Sequence, residues 1–381
     1  MPTSTVKIIL PSSAPGTERT LRVHRYGAPG ARPKAYFQAA LHADEIPGLL
    51  AAQHLLGGLE QAQAEGRVIG EVVVVPVANP IGLSQHLNGR LLGRFDFENP
   101  GNFNRGFADL AAGALERVRG QLSADPVANA TLIRAALRAA LAEQRAARET
   151  EALKLALLGL AIDADFVFDL HCDGEALLHL YASRWQSNDA VALGAELGAE
   201  AILLEEEPGG NPFDEACASP WWKLRAALGA EGPTPLACFA TTVELRGQAD
   251  VNDEYAAADA AALLRFMQRR GVIAGEPGRL AEPRCEPTPL AGVDVLTAPA
   301  AGVLVYRKRL GEQVAAGEVV AELADPLDDP ANAAREPIRG ATSGVLFARM
   351  TERLARPGQK ICKIAGRELL NYRQAGKLLE D

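Results

Sequence analysis

Short apolar runs alternate with longer, alanine-rich amphipathic stretches from roughly residue 35 to residue 270. A short apolar run predicts a buried strand, whereas apolar residues at every third or fourth position predict a helix. The pattern therefore indicates an α/β fold with a mixed, mostly parallel sheet covered by helices. The predicted strands are 35–41, 72–77, 165–170, 177–182, 201–205 and 237–245, and the predicted helices include 49–65, 128–148 and 252–270.

The pattern changes after Gly271, where the alanine-rich helices give way to short runs and glycine turns. Residues 275–292 are rich in proline, which is typical of a linker or an extended crossing segment. We therefore predict an α/β domain over residues 1–274, with residues 1–34 as its β-rich edge. A separate β domain is predicted over residues 293–381.

The predicted β domain contains a weak internal repeat. Residues 301–304 and 317–320 are similar to residues 343–346 and 358–361, which predicts two related β halves. This pattern resembles the biotinyl/lipoyl-carrier barrel, in which a hairpin lysine between the halves carries the cofactor. Residues 324–330 occupy that position here and contain no lysine. We expect a barrel-like domain that is structural or that covers the mouth of an active site.

Residues 79–107 form a long predicted loop with three arginines and several glycines and asparagines. Loops of this length in compact domains usually have a function or are mobile. The loop also contains Phe95, Phe97, Phe103 and Phe107, whose apolar rings we expect to be buried. It is therefore not predicted to be a simple linker.

Composition and charge narrow the class of protein. The 381 residues are enough for two or three domains, and the net charge of -9 argues against nucleic acid as a partner. No apolar run is long enough for a membrane span, and the amino terminus lacks a secretory signal. Five scattered cysteines without a CxxC pair indicate reduced thiols. We expect a cytoplasmic protein with no nucleic-acid or membrane partner; its oligomeric state, a homo-oligomer included, stays open.

Candidate metal ligands stand at the ends of two predicted strands. His42 and Glu45 follow strand 35–41, and His171 follows strand 165–170. Catalytic zinc binds three side chains such as imidazoles and carboxylates and keeps one position open. Alternatively, His42 caps the following helix and Glu45 is a solvated acid. The residue pattern alone leaves both interpretations open.

Two further acids stand near these strand ends. Glu244 ends the strand 237–245, where a partly desolvated carboxylate could act as a general base. Since Arg246 lies two residues further along the same strand face, a surface ion pair between them is the alternative. Asp169 could orient His171 from behind or could be a turn residue.

The long loop offers candidate residues for binding an anion. Arginine forks bind carboxylates in a bidentate manner and stabilise oxyanions. Arg94 and Arg105 lie among the phenylalanines, and Asn104 precedes Arg105. Solvated surface arginines are the alternative, which we retain for Arg90.

Four motifs occur in order along the chain: H-x-x-E at His42 and Glu45, asparagine-arginine at 104–105, D-L-H at 169–171 and T-V-E-L at 242–245. Together they resemble the succinylglutamate desuccinylase/aspartoacylase family, which is similar in fold to zinc carboxypeptidases. The resemblance spans roughly residues 30–272. The family commonly has D-L-N-R before a phenylalanine, whereas residues 102–105 are Asn-Phe-Asn-Arg and Phe107 comes one residue later.

The resemblance implies a role for each matched residue. His42, Glu45 and His171 would hold one Zn²⁺ per chain, and Glu244 would be the base that activates water. Arg94 would polarise the scissile carbonyl and stabilise the oxyanion, while Asn104 and Arg105 would hold the substrate carboxylate.

The implied reaction removes an acyl group from the amine of a small N-acyl amino acid or a related carboxylate-bearing compound. The departure from D-L-N-R bears on the choice of substrate. A zinc carboxypeptidase, an ester hydrolase and a non-enzymatic carboxylate-binding protein are the alternatives.

Overall fold

Strands and helices alternate through the amino-terminal part of the computed structural model, which describes residues 1–99, 101–205, 209–328, 334–374 and 376–377. The helices are α1 (Pro47–Ala64), α2 (Pro80–Leu83), α3 (Ala111–Val118), α4 (Pro126–Ala142), α5 (Glu149–Ala161), α6 (Ser187–Leu197), α7 (Phe213–Leu228) and α8 (Asp253–Arg269). The strands up to the sheet edge are β1 (Ser4–Ile9), β2 (Thr20–Tyr26), β3 (Lys34–Ala39), β4 (Glu71–Val75), β5 (His86–Leu87), β6 (Arg90–Leu91), β7 (Phe166–Asp173), β8 (Glu175–Ala176), β9 (His179–Ser183), β10 (Ala201–Glu205), β11 (Phe239–Gly247) and β12 (Thr288–Pro289). The remaining strands are β13 (Val293–Thr297), β14 (Gly302–Tyr306), β15 (Gln313–Val314), β16 (Val319–Ala324), β17 (Glu336–Arg339), β18 (Gly344–Arg349), β19 (Leu354–Ala355) and β20 (Lys360–Gly366).

A nine-stranded sheet organises the α/β part, in the order β1-β2-β4-β3-β7-β11-β9-β10-β12. The inner strands β4, β3, β7 and β11 run parallel to one another, whereas the pairs β1–β2, β2–β4 and β11–β9 are antiparallel. The predicted mixed, mostly parallel sheet is confirmed. Strand β12 lies within the proline-rich segment 275–292 and pairs in parallel with β10.

Each face of the sheet has its own hydrophobic core. Side chains alternate between the two faces along a strand, so neighbouring apolar residues enter different cores. Tyr36 and Val167 join the core with α3, α4, α5 and α7, whereas Phe37 and Phe168 join the core with α1, α6 and α8. Continuous apolar runs such as Val72–Val75 are therefore explained by burial on both faces.

The prediction of one helix over residues 128–148 is wrong at its carboxy-terminal end. Helix α4 ends at Ala142, and a second helix, α5, begins at Glu149. The acids Glu149 and Glu151 lie in the first turn of α5, where they interact favourably with the helix dipole. The apolar pattern does not reveal the break between the two helices, over residues 143–148.

The carboxy-terminal part contains two antiparallel sheets, ordered β13-β20-β18-β15 and β17-β16-β14-β19. One half of the sequence repeat forms the pair β14–β16 and the other half forms the pair β18–β20. Leu304, Leu323, Leu346 and Ile364 from these strands share one apolar core. The predicted barrel-like β domain is confirmed; of the hairpin at 324–330, residues 329 and 330 lie outside the described part.

The β domain is attached to the large sheet by strand pairing and ion pairs. Strand β8 pairs antiparallel with β18. Glu175 of β8 forms ion pairs with Arg349 at 2.6 Å and Arg353 at 2.5 Å. Within the described part of the chain, no helix combines the length and the apolar character needed to span a membrane.

The long loop has both buried and exposed phenylalanines. Phe103 and Phe107 are buried, as expected. Phe95 and Phe97 are 45% and 52% exposed, so the expectation that all four rings are buried is wrong. Phe95 lies on the wall of a cavity rather than in the core.

The central strand β7 generates a stability prediction. Phe168 is fully buried and stacks on Phe37 with ring centroids 4.4 Å apart. Phe168→Ala should lower the free energy of unfolding by about 3–5 kcal/mol, because it removes a large ring from a packed core. Urea denaturation measures the change. The exposed ring gives the control: Phe97→Ala should change stability by about 0.5 kcal/mol or less, and an equal effect of both variants would contradict the assigned core.

Candidate metal centre and active site

The candidate site lies where three neighbouring parallel strands end. Glu45 and His42 follow β3, His171 lies near the end of β7, and Glu244 lies in β11 directly opposite His171. The register of β3 with β7 places Gln38 opposite Asp169. Carboxyl ends of adjacent parallel strands are the usual position for ligand sites in such sheets.

The turn after β3 brings His42 and Glu45 together. Ala40 has a left-handed φ of 57°, which is an unfavourable conformation for a residue with a Cβ. The Glu45 N–H then donates to the His42 carbonyl at 3.1 Å, and α1 begins at Pro47. This turn directs both side chains into the site.

Gly93 allows the long loop to lie directly on this turn. Its carbonyl accepts the Ala43 N–H at 3.0 Å, and a Cβ at Gly93 would lie 2.6 Å from the Asp44 nitrogen. Only glycine therefore allows this close approach. The approach places the next residue, Arg94, beside Glu45.

His42, Glu45 and His171 converge on one buried point. Their candidate ligand atoms lie within 4.8 Å of one another, and this is the group of metal-ligating residues found among the described residues. Glu45 Oε1 lies 2.9 Å from His42 Nδ1, and Glu45 Oε2 lies 2.7 Å from His171 Nδ1. The backbone N–H of Cys172 also donates to Glu45 Oε2, at 3.1 Å. One carboxylate therefore bridges two imidazoles.

Electrostatics favour a charged Glu45 and a neutral His42. Burial alone would raise the pKa of Glu45, but His42 and His171 outweigh it and hold that pKa well below its usual range. Burial lowers the pKa of His42, and Arg94 lowers it further. A neutral imidazole and an ionised carboxylate are the forms that bind metals.

His171 has the opposite shift. Burial alone would lower the pKa of His171, but Asp169 and Glu45 outweigh burial and raise it well above its usual value. Asp169 Oδ2 lies 2.9 Å from His171 Nε2, and Asp169 Oδ1 accepts from Gln38 Nε2 at 2.9 Å. Asp169 is thus placed behind His171, on the side away from Glu45.

Glu244 lies beside this group without pairing with Arg246. Arg246 adopts a left-handed φ of 68° at a bulge in β11, which turns its side chain away. Both of its terminal nitrogens donate to Asp259 at 2.8 Å. Glu244 Oε2 is buried and has no hydrogen-bond partner among the described residues. Burial first and Glu45 second raise the pKa of Glu244 to about 8.

The predicted loop residues also lie at the site. Arg94 Nη1 lies 3.0 Å from Glu45 Oε1 and 3.2 Å from His42 Nδ1. Asn104 Oδ1 accepts from the Phe213 N–H at 2.8 Å, and Asn104 Nδ2 lies 3.4 Å from His171 Nε2. Arg105 is half-buried and donates to the Asn104 carbonyl at 2.7 Å.

A cavity of about 710 Å³ connects these residues. Its size is within the range of about 300–1,000 Å³ that is usual for small-molecule sites. One wall comes from the α/β part, including Arg94, Arg105 and Glu244, and the other comes from the β domain, including Ile361 and Lys363. The β domain therefore completes the pocket.

Several residues of the pocket were not predicted from the sequence. Lys363 Nζ forms an ion pair with Asp173 Oδ2 at 2.5 Å and lies 3.5 Å from the Tyr181 hydroxyl. Burial alone would lower the pKa of Lys363, but Asp173 outweighs it and raises the pKa. Asp173 could have been found, since it shares a strand face with His171. No sequence feature connects Lys363 with residues nearly 200 positions away.

The donor set fits a zinc ion. Two imidazole nitrogens and one carboxylate match the ligands of catalytic zinc sites. All three side chains are buried, and Glu244, whose Oε2 has no hydrogen-bond partner among the described residues, lines the adjoining cavity. The cluster of acids around the group also favours a cation.

Comparisons with known proteins identify the family of the chain. Residues 31–270, well over half of the chain, match the model of the succinylglutamate desuccinylase/aspartoacylase catalytic domain. No curated protein matches the chain.

Among solved structures, a succinylglutamate desuccinylase/aspartoacylase family protein from Shewanella amazonensis is 24% identical, with a TM-score of 0.83 over 95% of this chain and 98% of that chain. A second such protein, from Shewanella frigidimarina, is 22% identical, with a TM-score of 0.79 over 95% and 97% of the chains. The product-bound ectoine utilization protein EutE (DoeB) from Ruegeria pomeroyi is 18% identical, with a TM-score of 0.67 over 95% of each chain. These likenesses concern the fold, whereas the matched catalytic-domain model shows that the chain belongs to the succinylglutamate desuccinylase/aspartoacylase family of deacylases.

Proposed function

We propose that this protein is a zinc-dependent hydrolase that removes an acyl group from the amine of a small, carboxylate-bearing N-acyl amino acid. The observation that carries the proposal is the convergence of His42, Glu45 and His171 beside Glu244, whose buried oxygen has no partner among the described residues. Glu244 also lines a cavity and has a raised pKa, and perturbed acids in clefts are typical of functional sites.

His42, Glu45 and His171 would hold the metal. Zinc bound there would supply a Lewis acid that lowers the pKa of a water molecule to about 7 and polarises the scissile carbonyl. His171 must lose its extra proton before it can bind the metal, because only the neutral imidazole is a ligand. Arg94 and a metal would compete for the Glu45 carboxylate, since both are cations.

Glu244 is proposed as the general base and acid. In its ionised form it accepts a proton from the attacking water, and it then returns that proton to the nitrogen of the leaving amine. A carboxyl whose pKa is raised toward neutrality can do both. An ordinary glutamate is almost fully ionised at neutral pH, so only a trace of it is protonated and able to act as an acid. The raised pKa of Glu244, about 8, is therefore suited to this double role.

Arg94 and Arg105 are proposed to recognise the two negative charges of the reaction. Arg94 borders the ligand group, from where its guanidinium can stabilise the oxyanion that develops at the carbonyl. Arg105 lines the same cavity from a neighbouring position of the loop, and we assign the substrate carboxylate to it. Asn104 supports this segment through its bond to Phe213 and is proposed as a further substrate contact.

A substrate panel with metal analysis tests the function. Purified protein should contain about one zinc per chain and should hydrolyse N-acyl amino or diamino acids. Preferential cleavage of amine-blocked peptides with a free carboxy terminus would favour a carboxypeptidase, and faster cleavage of esters would favour an esterase. Protein that binds carboxylates without hydrolysing any of these compounds would support a non-enzymatic binding protein.

The proposed role of Glu244 generates a kinetic prediction. Glu244→Gln should retain zinc but lose about 10²- to 10⁴-fold in kcat, because the amide can neither take up nor return the proton. Steady-state kinetics with measured zinc content checks this. Glu254→Gln, an exposed position in α8, is the matched control and should be unaffected. Near-normal turnover of zinc-loaded Glu244→Gln would rule out the assigned base.

The proposed role of Arg105 generates a prediction on substrate binding. Arg105→Gln should raise KM for carboxylate substrates about 10- to 100-fold with a small change in kcat, because it removes one charged contact that is present throughout the reaction. Arg90→Gln changes an exposed arginine of the same loop and should have no effect. An effect of Arg105→Gln on kcat alone would contradict the assigned clamp.

The raised pKa of Glu244 predicts how the stability of the metal-free protein depends on pH. The pKa of Glu244 is about 8 in the fold and 4.5 as its ordinary value, so between these pH values the folded protein holds a proton that the unfolded chain has lost. Glu244 therefore destabilises the metal-free fold increasingly as pH rises from about 5 to about 8. The stability advantage of Glu244→Gln over wild type should grow across this range.

Urea denaturation of chelator-treated protein at several pH values measures that difference. Zinc should shrink the difference, because a nearby cation stabilises the ionised Glu244 carboxylate. A difference that is constant with pH in metal-free protein would show that Glu244 is not protonated in the fold at neutral pH.

A further inference from the structure

We propose that Asn102 is a positioning residue for His42: it fixes which imidazole nitrogen faces the metal and does so without adding charge. The inference rests on the proposed function only in assuming that the ligand group binds a metal. Asn102 belongs to the segment in which this chain has Asn-Phe-Asn-Arg.

The two nitrogens of His42 face different partners. His42 Nδ1 points to Glu45 Oε1 at 2.9 Å, whereas His42 Nε2 lies 2.7 Å from Asn102 Oδ1. Both side chains are about 95% buried, at 4% and 5% exposure, so water does not replace this contact. The Asn102 amide is therefore the partner of His42 Nε2, the nitrogen that faces away from Glu45.

The identity of the amide atom is fixed independently. The backbone N–H of Asn104 donates to the same Asn102 atom at 2.8 Å, and a backbone N–H cannot accept. The atom facing His42 must therefore be the amide oxygen rather than the amide nitrogen. Since an amide oxygen only accepts, Nε2 carries a proton in both charge states of His42, and Nδ1 is the nitrogen left for the metal.

Asn102 is itself held by the loop that carries the proposed substrate residues. Its carbonyl accepts the Arg105 N–H at 3.2 Å, and it forms a β-bridge with Phe95 next to Arg94. The neighbouring Phe103 is fully buried and anchors the segment. A shift of Asn102 would thus move His42, Arg94 and Arg105 together.

The two ligand histidines have outer partners of different charge. His171 Nε2 faces the carboxylate of Asp169 at 2.9 Å, whereas His42 Nε2 faces a neutral amide. A carboxylate partner makes an imidazole a stronger ligand, while an amide only orients it. The structure therefore assigns His42 an oriented but less strongly donating role.

Zinc affinity of Asn102 variants tests the proposal, measured by competition with a chelating indicator. Asn102→Ala should weaken zinc binding about 10- to 100-fold, because the outer partner is lost. Asn102→Asp keeps the acceptor and adds charge, so it should bind zinc at least as tightly as wild type. Asn88→Asp adds the same charge at an exposed turn of the same loop and should have no effect.

A second measurement separates positioning from folding. Nitrogen NMR of metal-free protein should show His42 protonated at Nε2 in wild type and in Asn102→Asp, but not fixed there in Asn102→Ala. Zinc affinity of Asn102→Ala within twofold of wild type, or a folded Asn102→Asp variant that fails to restore affinity, would overturn the proposal. If Asn102→Ala does not fold, the Asn102→Asp affinity and the wild-type NMR result decide.

Failure of this proposal is distinguishable from failure of the proposed function. Wild-type protein that binds zinc and responds to Asn102 substitutions, yet hydrolyses no acyl compound, would retain the positioning role and reject the deacylase. If the wild-type protein is an active deacylase but Asn102→Ala has unchanged zinc affinity, the deacylase is retained and the positioning role is rejected. Wild-type protein that lacks a proton on Nε2 overturns the positioning role whether or not it binds metal.

Discussion

The parallel register of β3, β7 and β11 is the constraint on which the site depends. Glu244 is opposite His171, and Asp169 is opposite both Gln38 and Thr242, so the polar residues of three strands face one point. Because side chains alternate along a strand, a slip of one residue would turn Leu170 and Val243 toward the ligands and His171 toward the core. The apolar residues between the polar ones, fully buried on the opposite face, prevent that slip.

The same register concentrates negative charge, which the fold must offset. Four acids lie at this end of the sheet: Glu45 and Asp169 are buried, whereas Asp173 and Glu244 are partly exposed. Like charges repel strongly where burial removes the screening by water. Arg94 lies on Glu45 and Lys363 lies on Asp173, while His171 lies between Glu45 and Asp169. Burial first and Glu45 second raise the pKa of Glu244 to about 8, against the opposing effects of His171 and Lys363. The proposed base is thus a carboxylate whose burial outweighs the cations near it.

What the sequence could predict depended on whether the signal was local. Apolar runs located β3, β7 and β11, and the residues at their ends include His42, Glu45, His171 and Glu244, which the structure brings together. The helix predicted over residues 128–148 ends at Ala142, because the apolar spacing does not show where α4 stops before α5 begins at Glu149. Phe95 and Phe97 were expected to be buried, but both are about half exposed, since apolar character alone does not show which rings of a long loop reach the core. Lys363 could not be found at all, because its relation to Asp173 arises only when the β domain docks.

That docking also explains why a carrier-like barrel without a carrier lysine is useful here. A carrier domain must move between sites, so it has to be tethered rather than paired to its neighbour. In this protein β18 pairs with β8, and Glu175 of β8 forms ion pairs with Arg349 and Arg353. Lys363 forms an ion pair with Asp173 at the end of β7. Strand pairing resists such movement, because separation would leave backbone groups without partners, and the partly buried ion pairs add to it. A barrel fixed in this way supplies a rigid wall to the cavity, which is a role that needs no lysine at the hairpin.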